Sequence, residues 1–479
     1  MRATVLNRLG KLAALVAVLA APLLAPIGVH ASPYTEIASA FDEGDEFDLH
    51  TSITYQLVVR RTAIKREFVG LPGTGIDDPL PIAKDLLFSS TRHELVPRIE
   101  LGFFTDLSIA VSLPIVLFDS RKLEFDQNST PCTFPADPGP ATCINATNST
   151  TIVDGLLPTN GFDADDPNGP GFTGNNAMIF RGVDRSGLDQ VHLGLAWAAM
   201  NQARDPTKPT WKLGAEVRLS VGSPMKFDRL NPDNETGVSR GVHEIRLWTS
   251  MVRRLTWAEP YFDIWYMATY SIREDSQFDT LPTNFGAERT SPMQRAGTNF
   301  GFEAIVWEKK AAKQRVGIDA HLHLEGHFEG RDYTDMWEVI AYAGHAPSGG
   351  PLTLDQDPVQ MGVQALSHPG VTNVENYLTI GGSVGINVHL GEKVRFGANF
   401  TLDYEQSHLI SFADAGEDLP TCGSGEAPPG CETSVNDLVN QGTEEVNPLN
   451  VPLVDATGHR YRVDNARNYV FGINARFLF

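Results

Sequence analysis

The chain has 479 residues, with 38 Lys+Arg against 59 Asp+Glu and a formal charge of −21. An acidic chain lacks the clustered cations that phosphate neutralisation needs, which argues against a nucleic-acid partner. With 42% hydrophobic and 20% charged residues it fits neither a disordered polymer nor a bundle of membrane helices, and its 4 cysteines are too few for a disulfide scaffold.

The first segment has a basic start (Arg2, Arg8, Lys11) and an apolar run from Leu12 to Val29 that ends in Val29-His30-Ala31-Ser32. This reads as a cleaved export signal over 1–31. A membrane anchor is the competing reading; Pro22, Pro26 and the short apolar core count against it. Residues 32–46 then read as a periplasmic lead-in to a single barrel domain over 47–479.

From Phe47 on, the sequence alternates with a period of two. Phe47, Leu49, Ile53, Tyr55 and Leu57 share one face, and Asp48, His50, Ser52, Thr54 and Gln56 share the other. Successive side chains of a strand point to opposite faces, so this is a strand with one apolar and one polar side. The pattern returns over Glu94–Phe103, Leu107–Leu117, Val191–Ala199, Trp211–Val221, His243–Met251 and Ala258–Tyr270. It continues over Phe300–Val306, Val316–Phe328, Leu378–Leu390, Val394–Tyr404 and Tyr469–Phe479, about twelve strands in all. Most are near the roughly nine to eleven residues that cross an outer membrane when tilted. Short links such as Phe104–Asp106 and Gly391–Lys393 alternate with long ones such as Phe118–Asp189 and Glu405–Asn468. An up-and-down antiparallel transmembrane barrel with short periplasmic turns and long external loops produces this all-β pattern.

In the last strand Tyr469, Phe471, Ile473, Ala475, Phe477 and Phe479 lie on one face, and Phe479 ends the chain. This resembles the C-terminal strand of Gram-negative outer-membrane β-barrel proteins of the porin-like, small-solute transporter type. The resemblance implies residence in the bacterial outer membrane, contact with its lipid, and recognition of Tyr469, Phe471, Phe477 and Phe479 by the barrel-assembly machinery.

In such a barrel the apolar face meets lipid and the polar face lines the lumen. Parity places Arg98, Glu100, Glu216, Arg218, Glu244, Arg246, Glu259, Asp263, Glu303, Arg395, Asp403, Glu405 and Arg476 inside. These residues form either a pore constriction or a salt-bridged filling. The ninth strand adds Asp319, His321, His323, Glu325, His327 and Glu329 at alternate positions. His321 and His323 could converge on a metal, but no third ligand is assigned; the other reading is a row bonded to arginines and water. Because acids outnumber bases, an open path should favour cationic or neutral polar solutes.

Two cysteine pairs, Cys132 with Cys143 and Cys422 with Cys431, fall in long loops and read as disulfides in an oxidising compartment. The 118–189 loop is long enough to plug the lumen. It contains Asp163-Ala164-Asp165-Asp166-Pro167-Asn168-Gly169, a partial calcium-loop pattern in which Pro167 replaces a ligand and the closing Glu is missing. There is no Walker A, G-x-S-x-G or H-E-x-x-H motif, and no cofactor is implied. The expected function is therefore an outer-membrane channel for small polar or cationic solutes, and not an enzyme. A structural or adhesive barrel with a filled lumen, which binds partners through its loops, is the alternative. An outer-membrane lipid hydrolase is the more distant one.

Overall fold

The computed structural model describes residues 36–42, 45–67, 82–126, 144–146, 149–172, 177–279, 291–344, 351–352, 354–355, 365–366, 368–410, 416, 418–423, 431 and 450–479. The segment 1–31 and the Cys132–Cys143 pair lie outside these residues.

Twelve antiparallel strands close into one barrel. They are β1 (Leu49–Glu67), β2 (Ile82–Phe104), β3 (in two pieces, Leu107–Ser112 and Ile115–Phe125), β4 (Gln190–Met200), β5 (Thr210–Ser220) and β6 (Val242–Val252). The remainder are β7 (Ala258–Ile272), β8 (Arg295–Lys309), β9 (Gln314–His327), β10 (Tyr377–Leu390), β11 (Val394–Glu405) and β12 (Tyr461–Leu478). Each strand pairs with its neighbours in sequence, and β12 pairs with β1 from Leu478↔His50 to Tyr461↔Arg66. Phe479 completes the seam, where its N–H donates to the Leu49 carbonyl and its carbonyl accepts the Leu49 N–H (2.9 and 2.8 Å). Closure leaves no unpaired edge, as hydrocarbon surroundings require. Among the described residues, no helix is long and apolar enough to cross a membrane.

The outer wall carries the predicted apolar face. Ile53, Ile99, Ile109, Leu195, Leu247, Ile264, Phe300, Leu322, Val384, Leu402, Phe471 and Ile473 are all exposed. Phe103, Trp257, Tyr270, Phe396, Tyr404, Phe477 and Phe479 are exposed nearer the strand ends, where aromatic rings suit the headgroup boundary. The turns on the end that carries both chain termini are tight. Asp106 and Lys313 take the left-handed conformation there, as does Gly391 (φ 56°, 49° and 75°).

At the other end β1, β2, β3 and β12 continue past the predicted strand limits, with β1 and β2 reaching 19 and 23 residues. In this extension the alternation inverts. Ile64, Leu86, Leu123, Tyr461 and Val463 point inward and are buried. Lys65 pairs with Asp464, and Lys122 with Glu124 at 3.0 Å. Outside the bilayer the exterior solvent is water, so the apolar face turns in and the polar face turns out.

The inward apolar face forms the floor of a hydrophobic cap. Helix α1 (Thr150–Val153), helix α2 (Trp337–Gly344) and helix α3 (Pro452–Asp455) pack into it with Phe162, Phe180 and Phe227. All eight residues of α2 are buried. The buried Asp85 carboxylate tethers the start of α1, where it accepts the Ser149 hydroxyl (2.8 Å) and the Thr150 N–H (3.1 Å). The 118–189 segment therefore contributes a longer β3, the short strands Met178–Arg181 and Arg185–Leu188, and part of the cap.

Candidate functional site

The lumen is built from the inward parity of all twelve strands, and its charges fall into three tiers. At the periplasmic end, Arg315 lies between Glu259 (2.7 Å) and Glu303, and Arg254 bridges Glu259 (2.6 Å) and Glu308 (3.0 Å). Arg98 and Arg476 both approach Glu100, at 3.6 and 3.7 Å. The described part of the lead-in does not lie free. Residues 36–42 sit in this mouth, with Ala38 and Ala40 buried, and the Ser39 hydroxyl accepts the Asp106 N–H (2.9 Å). From inside the lumen the Glu36 carboxylate reaches Arg395 and Arg476.

In the middle tier the wall is glycine-rich, and aromatic rings lie across it. Trp248 faces Gly214, Trp265 faces Gly297 and Tyr261 faces Gly301 in register. A Cβ on Gly214 or Gly297 would come within 2.1 or 2.6 Å of the opposing ring, so the glycines make room for the shelf. The Arg246 guanidinium lies 5.1 Å above Trp265, with Arg218–Glu216 (2.8 Å) beside it. Two strands further along, Asp319 accepts the Tyr261 hydroxyl (2.7 Å) and lies 2.9 Å from His321. Asp403 is 2.9 Å from His323, and Asn299 donates to Asp263 (2.8 Å). Arg98, Lys212, Arg218 and Arg246 thus project from β2, β5 and β6 beside Glu100, Glu216 and Glu244, and Asp263, Asp319 and Asp403 project from β7, β9 and β11.

In the upper tier Glu244 lies 2.7 Å from Arg240 and 3.9 Å from Arg295, which is 3.8 Å from Glu325. His327 stacks on Tyr377 (4.1 Å), which stacks on His408 (3.9 Å). Arg60 binds both Glu405 and Asp335. Asp335 belongs to the segment that leads from β9 into the cap, and this segment is fastened to the wall at three points. Arg240 holds Asp332 (3.1 Å), Arg60 holds Asp335 in a two-pronged contact (2.8 and 2.9 Å), and the buried Arg185 holds Glu338 (2.8 Å). The Trp337 ring sits under the guanidiniums of Arg185 and Arg121, at 5.0 and 5.6 Å.

Space remains between the tiers. A cavity of about 530 Å³ is lined by Glu36, His50, Arg98, Lys212, Trp248, Asp319, Arg395 and Arg476. A second, of about 220 Å³, adjoins Arg98, Lys212, Arg246 and Trp248, and a third, of about 370 Å³, lies under the cap beside Arg60, Arg92, Tyr333 and Tyr377.

The residues taken as luminal from parity come together here, each acid with a partner. Glu329 differs: β9 ends at His327, and the Glu329 N–H donates to Asn376 Oδ1 (2.8 Å) at the start of the cap connection. His321 and His323 turn to different carboxylates, and among the described residues no group of three His, Cys, Asp or Glu side chains could hold a metal. In the partial calcium loop Arg181 supplies the cation, facing Asp163 (3.4 Å) and Asp165. Cys422 and Cys431 form a disulfide. The strand patterns missed Arg60, Arg240, Arg295, Arg315, Lys212, Glu36 and the Asp332–Glu338 latch. Lys212 shares parity with Glu216 and Arg218, and Arg60 with Gln56, so both could have been found by extending the alternation.

No protein-family model matches the chain, and no curated protein sequence matches it. Its fold is similar to an outer membrane channel from Pseudomonas putida F1 (9% identity, 94% of this chain and 100% of that one, TM-score 0.37). It is also similar to a FadL homologue of Pseudomonas aeruginosa (8% identity, 90% of each chain, TM-score 0.31). A third is the outer membrane protease OmpT of Escherichia coli (7% identity, 91% and 98%, TM-score 0.28). What decides the setting of this chain is its own closed wall with an apolar exterior and a charged interior. It is a protein of the bacterial outer membrane.

Proposed function

We propose that the barrel is an outer-membrane channel for small polar solutes, held shut by its cap and its N-terminal segment. The observation that supports this is the space left among charged side chains between the two closures, a cavity of about 530 Å³ adjoining one of about 220 Å³ and a separate one of about 370 Å³ under the cap. A barrel built only for rigidity would fill that space with side chains, as eight-stranded barrels do. The outer closure is a hydrophobic cap fastened to the wall by ion pairs, and the periplasmic one is a short segment held by Ser39 and Glu36. The lumen does not select simply for cations, because its acids already have partners. A structural barrel remains the second reading, favoured by the fully buried α2 across the outer mouth. Liposome swelling with neutral sugars of graded size, measured on a barrel lacking both 330–375 and 36–42, separates the two. Swelling with small sugars and exclusion of large ones supports the channel; no swelling with any of them supports the structural barrel.

A further inference from the structure

Arg395 and Arg476 stand directly opposite each other across the β11–β12 seam. Their side chains are only 10% and 14% exposed. Like charges in register repel, and more so away from bulk water, so the pair needs an anion between its members. Here that anion is Glu36. Its Oε1 lies 3.1 Å from both Nε and Nη2 of Arg395, and its Oε2 lies 3.3 Å from Arg476 Nη1. Lys212 Nζ donates to the Glu36 backbone carbonyl (3.2 Å). The remaining neighbours do not replace this carboxylate: Glu100 is 3.7 Å from Arg476 and shared with Arg98, and His50 accepts one Arg476 N–H (2.9 Å). Glu36 is no part of the barrel wall. It precedes the short hairpin of Ala40–Asp42 with Asp45–Phe47, and it lines the 530 Å³ cavity.

We propose that Arg395 and Arg476, with Lys212, form a binding site for carboxylate-bearing solutes, which Glu36 occupies as a tethered stand-in until a solute displaces it. The two guanidiniums present a bridging geometry that a planar, two-oxygen anion satisfies. Displacement releases the Glu36 end of the N-terminal segment, which Ser39 still holds to Asp106 (2.9 Å), so arrival of the solute loosens the periplasmic closure. The inference rests on the channel reading for how the solute arrives, but binding is measured separately from conduction.

The test uses the full-length barrel in detergent, titrated with sodium butyrate, a mimic of the Glu36 side chain, and followed by tryptophan fluorescence, since Trp248 lines the same cavity. A tethered group competes at an effective concentration in the millimolar range. Glu36→Gln should therefore bind butyrate about ten-fold more tightly than the parent, ignore neutral butyramide, and lose the response when Arg395→Gln is added. Equal affinity in parent and Glu36→Gln, an equal response to butyramide, or a response to inorganic phosphate alone would overturn the site. A second measurement leaves Glu36 in place: in an Ile37→Cys barrel, butyrate but not butyramide should speed labelling by a water-soluble maleimide, and an unchanged rate counts against the proposal. A barrel that binds butyrate yet never conducts would refute the channel and leave the site standing; one that conducts and ignores butyrate would refute the site alone.

Discussion

Asp335→Ala cuts one of the three fastenings between the cap and the barrel wall. The Asp335 side chain is 8% exposed and Arg60 20% exposed, and the contact is two-pronged at 2.8 and 2.9 Å. Breaking a buried pair by removing one partner costs about 3–5 kcal/mol when the other charge is left alone. Arg60 is not left alone, because Glu405 remains bound to it, so the expected loss is lower, about 2 kcal/mol. Asp335 joins the cap segment to the wall, so this energy is subtracted from the closed state alone. About 2 kcal/mol is a roughly 30-fold rise in the ratio of open to closed. Single-channel recordings in planar bilayers read that ratio directly as open probability. Unchanged open probability in a variant with normal heat-modifiable mobility would refute the view that Asp335 latches the cap.

Three further outcomes follow from other parts of the structure. Phe471→Arg, on the lipid-facing side of β12 with Phe471 48% exposed, should cost about 2–4 kcal/mol near the bilayer midplane and lower the yield of folded barrel; normal assembly would contradict the placement of this face. Arg315→Gln should leave Glu303 with only Asn387, while Glu259 keeps Arg254, and lower the temperature of heat modification by about 2 kcal/mol of stability; an unchanged midpoint would show that the triad is not structural. The buried His368 ring accepts the Gly370 N–H (2.9 Å), and burial, with Arg331 nearby, pulls its pKa down to about 4 from 6.5. The unfolded segment then takes up its proton first, so this part of the cap loses stability as pH falls from about 6.5 to 4, by about 3 kcal/mol in full. The protection of the Gly370–Val374 amides, taken relative to the intrinsic exchange rate at each pH, should fall over that range and lose the dependence in His368→Asn; protection that stays constant in the parent would contradict this.

Fold and site differed in how far they were legible from sequence. The twelve strands could be read because lipid outside and water inside impose a strict period of two, as at Leu107–Leu117 and Val394–Tyr404. The same rule hid the extension of β1, β2, β3 and β12. Past Leu57 the outside turns from lipid to water, and Arg61 and Lys65 take the face that Ile53 and Leu57 held below. The luminal acids were found by parity, but their partners often lie where a strand was drawn too short, such as Arg60 and Arg295, or where a connection folds back, such as Asp332 and Asp335. This is why an acid-rich lumen was expected and a compensated one is found. Glu36 and the latch depend on contacts between distant segments, which no local period encodes.

In the channel reading the charge-lined lumen is the passage, and the cap segment shuts its outer mouth. Glu329 and Asn376 are already hydrogen-bonded to each other (2.8 Å), so 330–375 can be replaced by a short glycine linker without straining β9 or β10. This excision removes α2 together with Asp332, Asp335 and Glu338. In single-channel recordings the parent should be closed most of the time, and the excised barrel, with 36–42 also deleted so that the periplasmic mouth is clear, should show large, long-lived openings. An excised barrel that folds, inserts and stays silent would contradict the claim.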